Sequence, residues 1–210
     1  IMPVSRRLEL VNYSAAHGSL VIEDDFENEF VYLQKPTPSL FGLAGGQNVV
    51  YLGTFSRLLL PSIRISFMVL PPELSALYRK KADQYNQTAS KAEQIALCQF
   101  IRDGHLAAQT RKLKRLYSVK LKALRSAVRE VFGKDAQIQT GAAGTSLALT
   151  LSTTLTWQEL QKKAQTNGLR LQLLREAPGK ITLILSCSSM PVADFVPACK
   201  LLKDISQIQN

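Results

Sequence analysis

Three short apolar runs, each stopping abruptly at polar residues or prolines, constrain this chain more than any other feature. Residues 19–22 end in Glu23-Asp24-Asp25, residues 49–52 in Gly53-Thr54-Phe55-Ser56-Arg57, and residues 63–70 in Pro71-Pro72. Brief β-rich runs with polarity gathered at their ends are the mark of buried sheet strands. Ahead of them, Val4, Leu8, Leu10, Val11 and Ala15 are spaced for one face of a helix over residues 4–17, which Gly18 stops. The stretch between the first two runs carries Pro36, Pro38, Gly42, Gly45 and Gly46, and reads as loop or short helix. Helix, strand, loop, strand, strand is an α/β order.

Beyond Pro72 the texture changes. Residues 73–102 are helical in composition, with a break expected near 86–90. Residues 106–132 form a long helix in which Leu113, Leu116, Tyr117, Leu121, Leu124, Val128 and Val131 keep a three- to four-residue spacing, and Gly133 ends it. Short strands are expected over 137–140 and 147–151, a helix near 157–166, a strand near 181–187 and a last helix from about 192 to 205. Trp157 and Phe195 read as core aromatics. A boundary near residue 105 divides the chain into units 1–105 and 106–210.

Composition narrows the function classes. The chain has 210 residues, 46% of them apolar, which is enough for a proper core. Its most apolar stretch, Leu58 to Leu70, is broken by Pro61 and Arg64, so no membrane span is expected. Cys98, Cys187 and Cys199 form no CxxC pair and no disulfide framework, which suits a reducing, cytoplasmic setting. His17 and His105 are too few for a His-rich metal site, and no metal is expected. Cys98 and His105 are separated by Asp103-Gly104, which breaks any shared helical face. The opening Ile1-Met2-Pro3 carries no signal peptide, and a start at Ile reads as a piece of something longer or as the scar of a removed tag. Lys and Arg number 26 against 16 Asp and Glu, a net charge of +10. Residues 111–134 hold nine of those cations against the single acid Glu130. Two readings stay open for that helix: a solvated face, or a stripe that touches DNA phosphates without reading sequence.

In open α/β sheets, ligands bind beyond the carboxyl ends of the strands. Glu23-Asp24-Asp25 puts carboxylates at one strand end. Thr54, Ser56, Arg57 and Arg64 put hydroxyls and cations at another, and these are groups that a phosphate asks for. On spacing alone, capping residues and surface ion pairs explain the same pattern.

Read as a string, VIEDDFENEF followed by YLGTFSRLLLPSIRISFMVLP, with Arg57 falling 33 positions after Asp24, closely resembles the aminotransferase-like domain of MocR-type bacterial transcription regulators of the GntR family. MPVSRRLELVNY and GHLAAQTRKLKRLYSVKLKALRSAV resemble the same family, so the likeness covers most of the chain. In such regulators a winged-helix domain binds DNA, and a fold type I domain related to aspartate aminotransferase binds pyridoxal phosphate (PLP) and an effector. The resemblance implies an α/β, PLP-dependent transferase-like fold. Residues 1–105 would be the later part of the large domain, and 106–210 a small C-terminal α+β domain. The winged helix and the first half of the aminotransferase-like domain have no counterpart in these residues.

The resemblance also implies roles. Asp24 matches the acid that pairs with the pyridinium nitrogen and keeps the ring an electron sink. Phe26 stands where a tyrosine usually contacts the ring hydroxyl, and phenylalanine cannot make that bond. Thr54 matches a hydroxyl that helps hold the phosphate, with Ser56 beside it, and Arg64 matches the arginine that pairs with it. Arg57 stands at the position of the Schiff-base lysine. A guanidinium stays protonated and cannot take that role. Either covalent PLP has been lost or Arg57 is an engineered replacement; the additional change at Phe26 favours natural drift. An arginine near the final strand grips the substrate carboxylate in relatives. Residues 182–184 hold none, so Arg175 is the nearest candidate, and otherwise a solvated turn residue. The implied function is effector sensing, the effector being a small molecule such as an amino acid, in a homodimeric regulator that binds DNA through its winged helix. An aminotransferase fragment is the rival, and a dimerising remnant without cofactor the third reading.

Overall fold

The computed structural model describes residues 2–25, 37–133, 136–140, 144–188 and 190–206. They fall into two compact units, the first reaching to Leu113 and the second running from Lys114 onward. The division therefore lies within the long helix rather than at its start near residue 105.

In the first unit α1 (Val4–His17) passes through Gly18, left-handed at φ 59°, into β1 (Val21–Asp24). Glycine takes that conformation without a Cβ penalty. The expected buried face of α1 is only half realised: Leu10 and Val11 are half-buried, Val4 and Leu8 are exposed, and Ser14 alone is buried. The helix packs on α2 (Leu40–Leu43), whose four residues cover little of it.

A three-stranded sheet follows in the order β1-β2-β3. β2 (Val49–Thr54) runs parallel to β1, and β3 (Ser66–Val69) antiparallel to β2. The third apolar run becomes a strand later than expected. Pro61, without an N–H for a ladder, opens a 3-10 turn over Pro61–Ile63 instead. All four residues of β3 are exposed, so the buried-strand reading fits Val49 and Val50 of β2 but not β3. α3 (Pro72–Lys81) and α4 (Lys91–Arg102) are separated by the expected break, and Ser90 caps α4 by accepting from the Glu93 N–H. α5 (His105–Phe132) is the long helix.

The second unit holds β4 (Gln137–Thr140), β5 (Ser146–Ser152), α6 (Trp157–Thr166), β6 (Gln172–Ala177), β7 (Lys180–Ser186) and α7 (Phe195–Ser206). Its sheet is antiparallel in the order β4-β5-β7-β6. The period of two in β5 points Leu147, Leu149 and Leu151 inward, in register with Leu185, Leu183 and Ile181 of β7. They pack with Val128, Leu160, Phe195 and Leu202 from the helices. Burial of each such side chain contributes about 1.5–3 kcal/mol. β6 is the strand that periodicity does not announce, because a bulge between Leu173 and Arg175 interrupts its alternation. A capping box starts α6. Glu159 accepts from the Thr156 N–H and hydroxyl, each at 2.8 Å, and these bonds hold its carboxyl below the usual range.

Candidate ligand-binding cleft

Parallel pairing brings two strand ends to one edge of the first sheet. Asp24 closes β1, Thr54 closes β2, and Ser66 opens β3 directly across from Thr54. A cleft of about 960 Å³ opens there, and Asp24, Thr54, Ser56, Arg64, Ser66 and Phe67 are among its lining residues. One carboxylate, one guanidinium and five hydroxyls, those of Ser75 and Tyr78 included, thus line one concavity.

The three consecutive acids, alike in sequence, are separated by the pleat. Glu23 points into the protein. Its Oε1 accepts from Arg7 Nη1 at 2.9 Å and from the Leu40 N–H at 2.9 Å, and its Oε2 accepts from the Phe41 N–H at 3.0 Å. Asp25 accepts from the Tyr51 hydroxyl at 2.6 Å. Asp24, exposed, is the acid that lines the cleft. The carboxylates of Glu23 and Asp25 are held by the fold, and that of Asp24 faces the cleft.

The Thr54 hydroxyl is loosely held. It lies 3.3 Å from Ser56 Oγ and 3.4 Å from the Ile65 carbonyl, and accepts from the Ser56 N–H at 3.3 Å. Bonds at the long end of the range leave it able to turn toward a stronger acceptor. Arg64 sits left-handed at φ 34° and ψ 32°. That conformation costs a non-glycine residue about 1–2 kcal/mol. Such local strain is characteristic of ligand clamps.

Arg57 lies in the tight turn after β2, where the N–H groups of Leu58 and Leu59 both donate to the Phe55 carbonyl. It is half-buried and is not among the cleft-lining residues, although its neighbour Ser56 is. Phe26 lies outside the described residues. Phe67 and Ser66 are lining residues that the sequence reading does not single out. The available signal was Gly53, a glycine inside a strand run, which marks close approach of another group. A Cβ at Gly53 would stand 2.4 Å from Phe67 Cζ, so the ring rests directly on the backbone of β2.

Arg175 belongs to the second unit and is a strand residue, not a turn residue. It lies on β6 opposite Thr182 of β7. Together with Thr150, Lys180, Thr182 and Gln139 it lines a separate polar cleft of about 570 Å³ on the sheet, where the Thr150 and Thr182 hydroxyls are 3.0 Å apart. Among the described residues no three His, Cys, Asp or Glu side chains are placed to hold a metal ion, and no helix is long and apolar enough to cross a membrane.

No protein-family model matches the chain. It is 32% identical over 207 residues, 97% of its length, to the HTH-type transcriptional regulator YdeL of Bacillus subtilis. It is 30% identical over 174 residues, 83% of its length, to the probable rhizopine catabolism regulatory protein MocR of Rhizobium meliloti. The matches span 45% and 35% of those two proteins, so the chain corresponds to less than half of each. Among solved structures, the α-aminoadipate aminotransferase LysN of Thermus thermophilus superposes with a TM-score of 0.77 at 24% identity, over 98% of this chain and 54% of that one. That enzyme was solved with N-(5'-phosphopyridoxyl)-L-leucine. The fold is thus the α/β fold type I of PLP-dependent transferases, and the chain belongs to the MocR-type regulators of the GntR family, as the aminotransferase-like part of such a protein.

Proposed function

We propose that the chain is the effector-sensing part of a transcription regulator, and that its cleft holds PLP, or a related phosphorylated pyridine, without a covalent link. The observation that carries this reading is the convergence of Asp24, Thr54, Ser56 and Arg64 on one cleft at the carboxyl edge of β1 and β2. The donor set fits the group. Arg64 and the two hydroxyls suit a phosphate, and the Asp24 carboxylate suits a protonated ring nitrogen. When bound, PLP supplies an electron sink. Residue 57 supplies no amine, so the chain binds and orients but does not form the covalent anchor. Charge-assisted bonds worth about 1.5–3 kcal/mol each carry the affinity instead.

On this reading the first unit is the later part of the large PLP-binding domain and the second the small C-terminal domain. Arg175, with the Thr182 hydroxyl opposite, takes the carboxylate of a small effector such as an amino acid. The whole protein is a cytoplasmic homodimer that reaches DNA through a winged helix.

The test is a PLP titration of the full-length protein. Saturable binding is expected, with nothing fixed at position 57 by borohydride. Arg57→Lys should produce a yellow species that borohydride fixes at that residue, and adding Phe26→Tyr should tighten it. A Lys variant that stays colourless in excess PLP overturns the assignment of position 57. Transamination of an amino acid by the unsubstituted protein overturns the regulator reading in favour of an enzyme.

A further inference from the structure

The outward side of α5 carries a row of cations that nothing among the described residues neutralises. In the second unit this helix buries Leu121, Leu124, Ala127 and Val128. At about 100° per residue, Arg115, Lys122, Arg125 and Arg129 cluster on the side away from that core. All four are exposed. They stand 7, 3 and 4 residues apart, a rise of about 21 Å from first to last. Ser118 and the exposed Val119 stand between Arg115 and Lys122, and Ser126 between Arg125 and Arg129.

Two other cations of the unit are spent on the fold. Lys120 donates to the Ser188 carbonyl at 3.0 Å, and Lys203 to the Val131 carbonyl at 3.1 Å. The four in the row make no such bond among the described residues, whose ion pairs are Arg6–Glu9 and Arg7–Glu23. Like charges three and four residues apart repel, and a merely solvated helix face usually alternates signs. Lys122, Arg125 and Arg129 do the opposite: the one acid nearby, Glu130, points about 100° to the side. A row of one sign, kept against its own repulsion, fits a polyanion.

We infer that this row binds the phosphate backbone of duplex DNA, as a contact independent of any helix-turn-helix segment. Phosphates advance about 3.4 Å per nucleotide along one strand, so about 21 Å spans roughly six of them, within reach of four long side chains. Arginine forks pair with phosphate oxygens two at a time. A membrane surface suits the row less well, because Val119 is the one exposed apolar side chain within it, and it is short beside the Trp, Phe and Leu that insert into a bilayer. The choice of DNA as the polyanion rests on the regulator reading; the row itself does not.

The experiment is fluorescence anisotropy of the 210-residue chain with a random-sequence duplex, repeated from about 50 to about 200 mM salt. Four neutralised phosphates predict a slope of log K against log salt of about −3.6. Replacing Arg115, Lys122, Arg125 and Arg129 together by Gln should remove nearly all of that slope. Replacing the three arginines by Lys, which keeps the charge, should preserve it. Replacing Arg79, Lys80, Lys81 and Arg102 by Gln removes the same charge from the first unit and should leave the slope in place. Equal flattening by both Gln sets would show an effect of net charge and overturn the row. So would binding to phosphatidylserine vesicles through the row with no binding to the duplex. The PLP titration of full-length Arg57→Lys protein is read separately, so failure on DNA refutes the row without touching the cofactor assignment, and the converse holds.

Discussion

Replacing Glu23 by Gln should be the most damaging single-atom change in the first unit. The carboxylate is 8% exposed and its partner Arg7 18%, and both oxygens are occupied by three donors at 2.9–3.0 Å. Gln keeps one oxygen. If that oxygen takes the place facing Arg7 and Leu40, the new amide group meets the Phe41 N–H, donor against donor. If the amide is turned round, it meets Arg7 and the Leu40 N–H instead, which is worse. The loss therefore includes one charge-assisted bond, about 1.5–3 kcal/mol, and weakening of a largely buried ion pair. Breaking such a pair outright costs about 3–5 kcal/mol; with the Gln oxygen turned to it, Arg7 keeps a neutral bond there beside its 3.2 Å bond to the Pro38 carbonyl and a weak one to Met2, which puts the loss at the lower end. A destabilisation of about 3 kcal/mol corresponds to a drop in Tm of about 6–12 °C for a chain of this size. The assay is urea and thermal unfolding followed by far-UV circular dichroism, because Trp157, the sole tryptophan, lies in the second unit and reports only there. Arg7→Met should cost less than Glu23→Gln, and the double variant less than the two losses added, since one partner's absence already exposes the other. A Glu23→Gln protein within about 0.5 kcal/mol of the parent, a change typical of an inconsequential surface site, would refute the claim that this carboxylate ties α1, β1 and α2 together.

Arg64→Gly should relieve the left-handed strain at residue 64, raising stability by up to about 1 kcal/mol while phosphate-ligand affinity falls at least tenfold; a stable variant with unchanged affinity would remove Arg64 from the site. Gly53→Ala should force the Phe67 ring outward into the cleft, measured as weaker PLP binding with little change in Tm. Burial pushes the Cys199 thiol up to about 11 from an ordinary 9.0, with Glu130 adding to the shift. Below pH 9 both states hold the proton and the group is silent; between about 9 and 11 the unfolded chain binds fewer protons, so stability should fall with rising pH, and Cys199→Ala should flatten that part of the curve.

Much of this protein can be read along the chain, because local signals carry it. Gly18 stops α1 where expected, the leucine spacing of residues 106–132 becomes α5, and alternation in residues 147–151 becomes the inward face of β5. The strings around Asp24 and Arg57 lead to the right fold and family, since a cleft at strand ends leaves its polar residues contiguous with the strands. β6 was hidden because a bulge breaks the period by which a strand is recognised, and that same strand makes Arg175 the register partner of Thr182 rather than the solvated turn residue that was the alternative to its effector role.

What only the tertiary structure decided is the division of labour among like residues. Three carboxylates in a row are equivalent on paper; the pleat of β1 and its parallel register with β2 send Glu23 inward to Arg7, Asp25 to Tyr51 and Asp24 into the cleft. Phe67 joins the site because antiparallel pairing sets it opposite Gly53, a contact between residues with no local sequence signal in common. Composition and periodicity determine which segments become helices and strands, since those preferences act over a few residues. Which side chain faces a ligand depends on register and on the handedness of each connection, and these are fixed only when strands distant in sequence pair.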